Sequence, residues 1–171
     1  LNDWIFDVSI TANRPDCQSI FGLAREVAAA LGQPLKTPAL DYTETEVEKE
    51  GFDVTVEAQD LCPRYIAHYV YDVKLGQSPA WMRRRLALVG NNSISNIVDI
   101  TNYIMRELGQ PLHAFDCDYL EGNAICVRRA AEGEKIVTLD EKEFTLNTNN
   151  LVICDGKKPV ALAGIMGGLN S

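Results

Sequence analysis

The chain has 171 residues, 46% apolar and 23% charged, the composition of a folded protein with material for one well-cored domain, or one domain and part of another. A net charge of −8 excludes a protein that grips nucleic acid by bulk electrostatics, because neutralising phosphates takes clustered lysine and arginine. No apolar run approaches the roughly 18 residues of a membrane span, and the opening "LNDWIFDV" is not a signal peptide, since no basic segment leads into an apolar one. It also lacks an initiator Met, which points to a piece of a longer chain. Five scattered cysteines, without a CxxC pair, read as reduced thiols of a cytoplasmic protein rather than a disulfide framework or a metal site.

In chain order, "WIFDVSI" is a short strand candidate, and "TANRPD" supplies turn chemistry with Asp16 as a helix cap. The helix "CQSIFGLAREVAAALG" places Ile20, Leu23, Val27 and Leu31 at helical spacing and stops at Gly32. The proline-containing, acidic stretch "QPLKTPALDYTETEVEKEG" reads as a linker, with a domain boundary near residue 40. "FDVTVEA" alternates as a strand, and "RYIAHYVYDVKL", which contains His68, reads as a longer one. A helix follows in "SPAWMRRRLALVG", with Ser78 as cap and Pro79 at its first position, ending at Gly90. "SISNIVDITNYIMREL" is the next helix. Strands return in "AICVRRA", in the hairpin "KIVTLDEKEFTL" and in "NLVICDGKKPVALAGIMGG" with its Asp155-Gly156 turn. Strands, two helices, then strands predict an α+β fold on mostly antiparallel sheet. The basic runs at 83–85, 128–129 and 157–158 each read, taken alone, as solvated edges. An acidic protein that touches RNA must nevertheless do so through such patches.

Two stretches stand apart. On "NIVDITNYIMREL", Ile97, Thr101, Ile104 and Leu108 share a face, so Thr101 lies in the apolar stripe and Asn102 borders it. Gly109 is a natural left-handed stop and Pro111 prevents continuation. The chain can then fold back to bring His113, one of only two histidines, toward that face. An imidazole, a hydroxyl and an amide suit binding of polar ligand parts and orientation of a water. No Ser-His-Asp ordering, metal-ligand spacing or nucleophile elbow supports covalent catalysis. The bland alternative is a threonine bonded to its own turn and an asparagine satisfying a loop carbonyl. The second stretch, "ALAGIMGG", has the small residues of a close backbone approach but lacks the features of a P-loop or a dinucleotide fingerprint.

With "TANRPDC", "GLAREVAAALG", "VDITNYIMRELGQPLHAFD" and "GIMGG" in view, the chain closely resembles, end to end, the β subunits of bacterial phenylalanyl-tRNA synthetases. The resemblance implies that residues 1–40 are the C-terminal part of a preceding N-terminal domain plus linker. Residues 41–171 would be most of a tRNA-editing domain, a three-layer unit with a mostly antiparallel β-sandwich core flanked by helices, its C-terminal part missing. Such a domain hydrolyses tyrosine mis-attached to tRNA(Phe). His113, Thr101 and Asn102 match the family's catalytic positions, and Gly167, with Ala163 and Pro111, the substrate-binding ones. The implied partners are tRNA(Phe), the tyrosine moiety and a synthetase α subunit in an α2β2 assembly. ATP and magnesium would serve other domains, and no cofactor or metal is expected in this region.

Three departures bear on that expectation. The glutamate that reads the tyrosine hydroxyl in the family lies beyond Ser171, no class II synthetase signature is present, and Asn92 stands where many members have arginine. The alternatives are a non-catalytic tRNA-docking module of the same subunit and a freestanding deacylase. The "TANRPDC" segment counts against the last.

Overall fold

The structure is a computed structural model and describes residues 3–43 and 51–170. It contains three α-helices, a mixed five-stranded sheet and a two-stranded sheet, the α+β class expected. The chain forms two units, Leu1–Glu44 with Asp72–Ala114 and Thr45–Tyr71 with Phe115–Ser171.

The first unit is helical. Helix α1 (Ile20–Leu31) is capped by Ser19, whose hydroxyl accepts the Gly22 N–H at 3.0 Å, and ends at Gly32. Asp16 is therefore not the cap. It lies in the 3-10 turn Pro15–Gln18 and pairs with Arg14 at 2.8 Å, the stronger option for a carboxylate beside a guanidinium. Helix α2 (Ala80–Leu88) buries Met82 and Leu86. Pro79 occupies its N-cap position and Ser78 makes no cap bond there, because its hydroxyl is drawn to Asp99. Helix α3 (Asn96–Leu108) starts at Ser95, which accepts the Val98 N–H, and ends at Gly109. Helices α2 and α3 meet through Trp81 and Tyr103, whose rings are edge-to-face at 5.5 Å. Arg85 donates to the Tyr103 hydroxyl at 2.6 Å, and that hydroxyl donates to Glu107 at 3.0 Å.

The second unit is built on sheet. Strands β1 (Asp53–Val56), β2 (Ala124–Arg129), β5 (Leu151–Cys154), β6 (Pro159–Leu162) and β7 (Met166–Gly167) are hydrogen-bonded in that order. Only β1 and β2 run parallel within it. Strands β3 (Lys135–Val137) and β4 (Glu143–Thr145) form the expected hairpin. Both faces of the larger sheet are apolar, which explains the unbroken run of "LVIC" where a half-exposed strand would alternate. Val152 and Cys154 pack with Ile136 of β3 and with Leu146, Leu162 and Ala130, while Ile153, Tyr65 and Phe115 pack against a second cluster of Leu120, Ile125 and Val160. A register shift between Ile153 and Cys154 leaves Val160 as the extra residue opposite them, and it joins the second cluster rather than that of Leu162.

Two expected strands are absent. Residues 4–10 and 64–75 carry the β-branched and aromatic residues of strands but form no ladder among the described residues. Propensity for a pleated surface is not enough without a neighbour to take the backbone N–H and C=O groups. Trp4, Phe6 and Val70 are accordingly exposed. The acidic run 44–50, part of the expected linker, lies outside the described residues.

Candidate functional site

Helix α3 carries most of the candidate residues, and hydrogen bonds to the preceding chain hold its first turn. Asn96 works in both directions: its Nδ2 donates to the Lys74 carbonyl at 2.9 Å and its Oδ1 accepts from the Gly76 N–H at 3.3 Å. The Asn96 N–H also donates to the Gly76 carbonyl at 2.9 Å. Asp99, one turn on, is completely buried, with 0% exposure. Its carboxylate accepts from the Ser78 and Ser93 hydroxyls, both at 2.5 Å, and from the Ile94 N–H at 2.9 Å. Burial by itself raises the pKa of this group. The three donors, with the nearby charge of Arg83, outweigh that and hold the carboxyl below its usual 3.8. Asp99 thus remains an anion in the interior and ties the start of α2 to the start of α3.

The far end of α3 is fixed by geometry. Gly109 has φ of +78°, and its N–H donates to the Met105 carbonyl at 2.9 Å. A Cβ at this position would also meet that of Ser19, the α1 cap, at 3.3 Å. The site therefore demands glycine both for its backbone conformation and for the approach of α1.

Between these ends, Thr101 and Asn102 are half-buried. The Thr101 hydroxyl donates to the Val98 carbonyl at 2.8 Å, the local bond a helical threonine commonly makes. The Asn102 amide makes no hydrogen bond with any described residue. Pro111 and His113 follow in irregular, exposed chain. His113 is exposed as a residue, yet desolvation of its imidazole still lowers the pKa from 6.5, which favours the neutral form at pH 7. A neutral imidazole can accept a proton or hydrogen-bond a water.

The six candidates fall into two groups. Thr101, Asn102, Pro111 and His113 belong to the helical unit, Ala163 and Gly167 to the sheet unit. Gly167 is buried in β7, where its carbonyl accepts from the Leu139 N–H at 3.0 Å, and the half-buried Ala163 donates its N–H to Leu151 at 3.1 Å. The close approach expected of "GIMGG" is made by Gly168, where a Cβ would meet the Val160 carbonyl at 2.7 Å. A concavity of about 350 Å³ in this unit is lined by Lys135, Ile136, Val137, Lys158, Pro159, Leu169 and Asn170, and includes none of the six.

Elsewhere the chemistry is muted. Asp16, Cys17 and Glu26 offer ligand atoms within 4.8 Å of one another, but Arg14 already pairs with both carboxylates, at 2.8 and 2.6 Å. Burial pushes the Cys154 thiol up to about 12, which makes it inert at neutral pH. Sequence reasoning missed Asp99, because an acid in the first turn of a helix reads as a partner for the helix dipole. It also gave no role to Arg106, whose Nε donates to Asn91 Oδ1 at 2.9 Å.

Residues 61–171 match the family model of the B3/4 domain. The chain belongs to the B3/4 domain family. Over its whole length it is also related to proteins named phenylalanine–tRNA ligase beta subunit, as the sequence resemblance implied. The relative from Syntrophus aciditrophicus is 57% identical over 100% of this chain and 21% of its own length. That from Geobacter metallireducens is 53% identical over 100% and 22%, and that from Bdellovibrio bacteriovorus 52% over 99% and 21%. The chain thus spans about a fifth of the length of the curated relatives it matches. No helix among the described residues is long and apolar enough to cross a membrane.

Proposed function

We propose that this B3/4 domain, extending from about residue 41, is the editing part of a phenylalanine–tRNA ligase β subunit and hydrolyses tyrosine mis-attached to tRNA(Phe). A site that binds phenylalanine by apolar contact rejects tyrosine only about a hundredfold, since tyrosine merely adds a hydroxyl. A second, hydrolytic site that requires that hydroxyl supplies the missing discrimination. The reaction adds a water oxygen to the ester carbonyl and breaks the bond to the ribose oxygen, releasing tyrosine and free tRNA.

The observation that carries the reading is the Asn102 amide, half-buried and without a described partner on a helix held at both ends. Its donors and acceptor are available to the aminoacyl group. His113, neutral at pH 7, would orient the attacking water, and the terminal adenosine of the tRNA would share in the chemistry. The α subunit and tRNA(Phe) would be the partners, with ATP and magnesium used elsewhere in the assembly. One observation favours a non-catalytic docking module instead: the Thr101 hydroxyl is committed to its own turn.

The test is deacylation of tyrosyl-tRNA(Phe) by the full-length β subunit in its complex, against phenylalanyl-tRNA(Phe) and a His113→Ala variant. Selective loss of tyrosine, slowed about a hundredfold or more by the substitution, is the expected result. Hydrolysis no faster than for tRNA alone would leave the docking module as the function.

A further inference from the structure

Charge is unevenly spread along this acidic chain. From Ala80 to Leu108 it carries four arginines, Arg83, Arg84, Arg85 and Arg106, against two acids, Asp99 and Glu107, although the whole chain is at −8. Asp99 is fully buried and occupied by its three donors, so the solvent-facing balance of the α2–α3 hairpin is more positive still.

The arginines of the molecule differ in how their charge is used. Arg14, Arg84, Arg128 and Arg129 each pair with a carboxylate, Arg85 is held by the Tyr103 hydroxyl, and Arg25, Arg64 and Arg83 have no side-chain bond to orient them among the described residues. Arg106 is held through Nε alone, by the neutral amide of Asn91. Its orientation is set without its charge being cancelled. Both terminal nitrogens remain available, and they are the pair that makes a forked contact with phosphate. Asn102 lies one turn earlier on α3, four residues away, which places the two side chains as neighbours on the helix surface. Its amide, on a half-buried residue, makes no hydrogen bond with a described residue and is not among the buried unsatisfied groups, so it is open to solvent.

We propose that Arg106 and Asn102, with Asn91 as the brace, form a notch that takes a backbone phosphate of the single-stranded 3′ end of an RNA. The notch rests on the editing reading only for the identity of that RNA. The guanidinium binds the phosphate, and the amide hydrogen-bonds the adjoining sugar or ester. Arg106 is a positioning residue: it sets where the RNA end lies and takes no proton from it.

The experiment uses the full-length β subunit in its complex, with Arg106→Gln, which keeps the length and polarity of the stem, and Arg25→Gln as control. Arg25 is exposed on α1 and removes the same unit of charge. Two readouts are made: binding of an uncharged acceptor-stem minihelix with a single-stranded 3′ end, across a salt series, and the kcat and KM of tyrosyl-tRNA(Phe) deacylation. Arg106→Gln is expected to weaken minihelix binding about tenfold to a hundredfold and to lower the salt slope by about one. Its effect on deacylation falls on KM, with kcat little changed, and Arg25→Gln behaves as wild type. Equal binding and equal salt slope for Arg106→Gln and wild type would overturn the proposal, as would equal losses from both substitutions. Arg106-dependent binding without hydrolysis by the wild-type complex would leave the notch standing and remove the editing reading.

Discussion

In the sheet unit the least exposed side chains are mostly apolar, Val152 and Val160 at 0% and Val127 and Cys154 at 1%, beside the polar Thr138 at 1%; in helix α3 the buried residue is Asp99. Helix α1 buries no residue, and half of the surface of Val27 remains exposed. One unit is thus held by apolar packing on two faces of a sheet; in the other the buried Leu86 and Met82 of α2 are joined by directional bonds to a buried anion and to Asn96. The difference has a physical logic. Apolar packing is strong but non-directional, and it needs a continuous apolar face. A helix with polar side chains such as Asn102 and Arg106 on its surface cannot give every face to a core. A few hydrogen bonds to one carboxylate fix its rotation and register at small cost in surface.

That contrast can be broken most forcefully in the sheet unit. Ile136→Ala empties the contact between the two-stranded sheet and the larger one, and is expected to cost about 2–5 kcal/mol with little dependence on pH. Denaturant melts at pH 4 and pH 7 measure it. Asp99→Asn is expected to cost about 2–3 kcal/mol at pH 7, because hydrogen bonds to a charged acceptor are lost. Here the pH matters. The folded pKa lies below the usual 3.8, so the stabilisation is complete above that value and disappears as pH falls through the lower folded pKa. The difference between wild type and variant should therefore begin to narrow below about pH 3.8, and a constant difference between them at all pH would show that the charge is not the agent.

Gly109→Ala is a smaller perturbation of the helical unit, about 1–2 kcal/mol for a left-handed alanine, and more if Ser19 does not move aside. Calorimetry of the variant beside Gly133→Ala, also at positive φ (+76°) but with open space around it, separates strain from contact. The gentlest probe is pH itself. Since the imidazole pKa of His113 is pushed down, the neutral form persists below pH 6.5, and deacylation should hold its rate through 6.5 before falling in more acid solution. A profile bending at or above 6.5 would place the working imidazole in open water, or assign the bend to another group.

Much of the sheet unit was legible because its signals are local: alternation in "FDVTV", the hairpin "KIVTLDEKEFTL", the Asp155-Gly156 turn. The stop at Gly109 was legible for the same reason. The residues 4–10 and 64–75 misled because strand propensity says nothing about whether a partner strand exists. Asp99 was illegible because its donors come from Ser78, twenty-one residues away, and from a loop serine, neither of which periodicity can link to it. Of the candidate site, helix spacing and the break after it singled out Thr101, Asn102 and His113, while their roles came from the family resemblance and remain proposals. Arg106, proposed here as a positioning residue, carried no such signal, since an arginine in the last turn of a helix ordinarily serves the dipole.

Polar bonds to Asp99 hold α3 in place. Hydrogen exchange of the full-length protein, wild type against Asp99→Asn at pH 7, tests it directly. Exchange is expected to be about thirtyfold or more faster along α3, the loop at 91–95 and the start of α2, with β2 and β5 unchanged. Equal protection of α3 in both proteins, or loss spread evenly over both units, would contradict it.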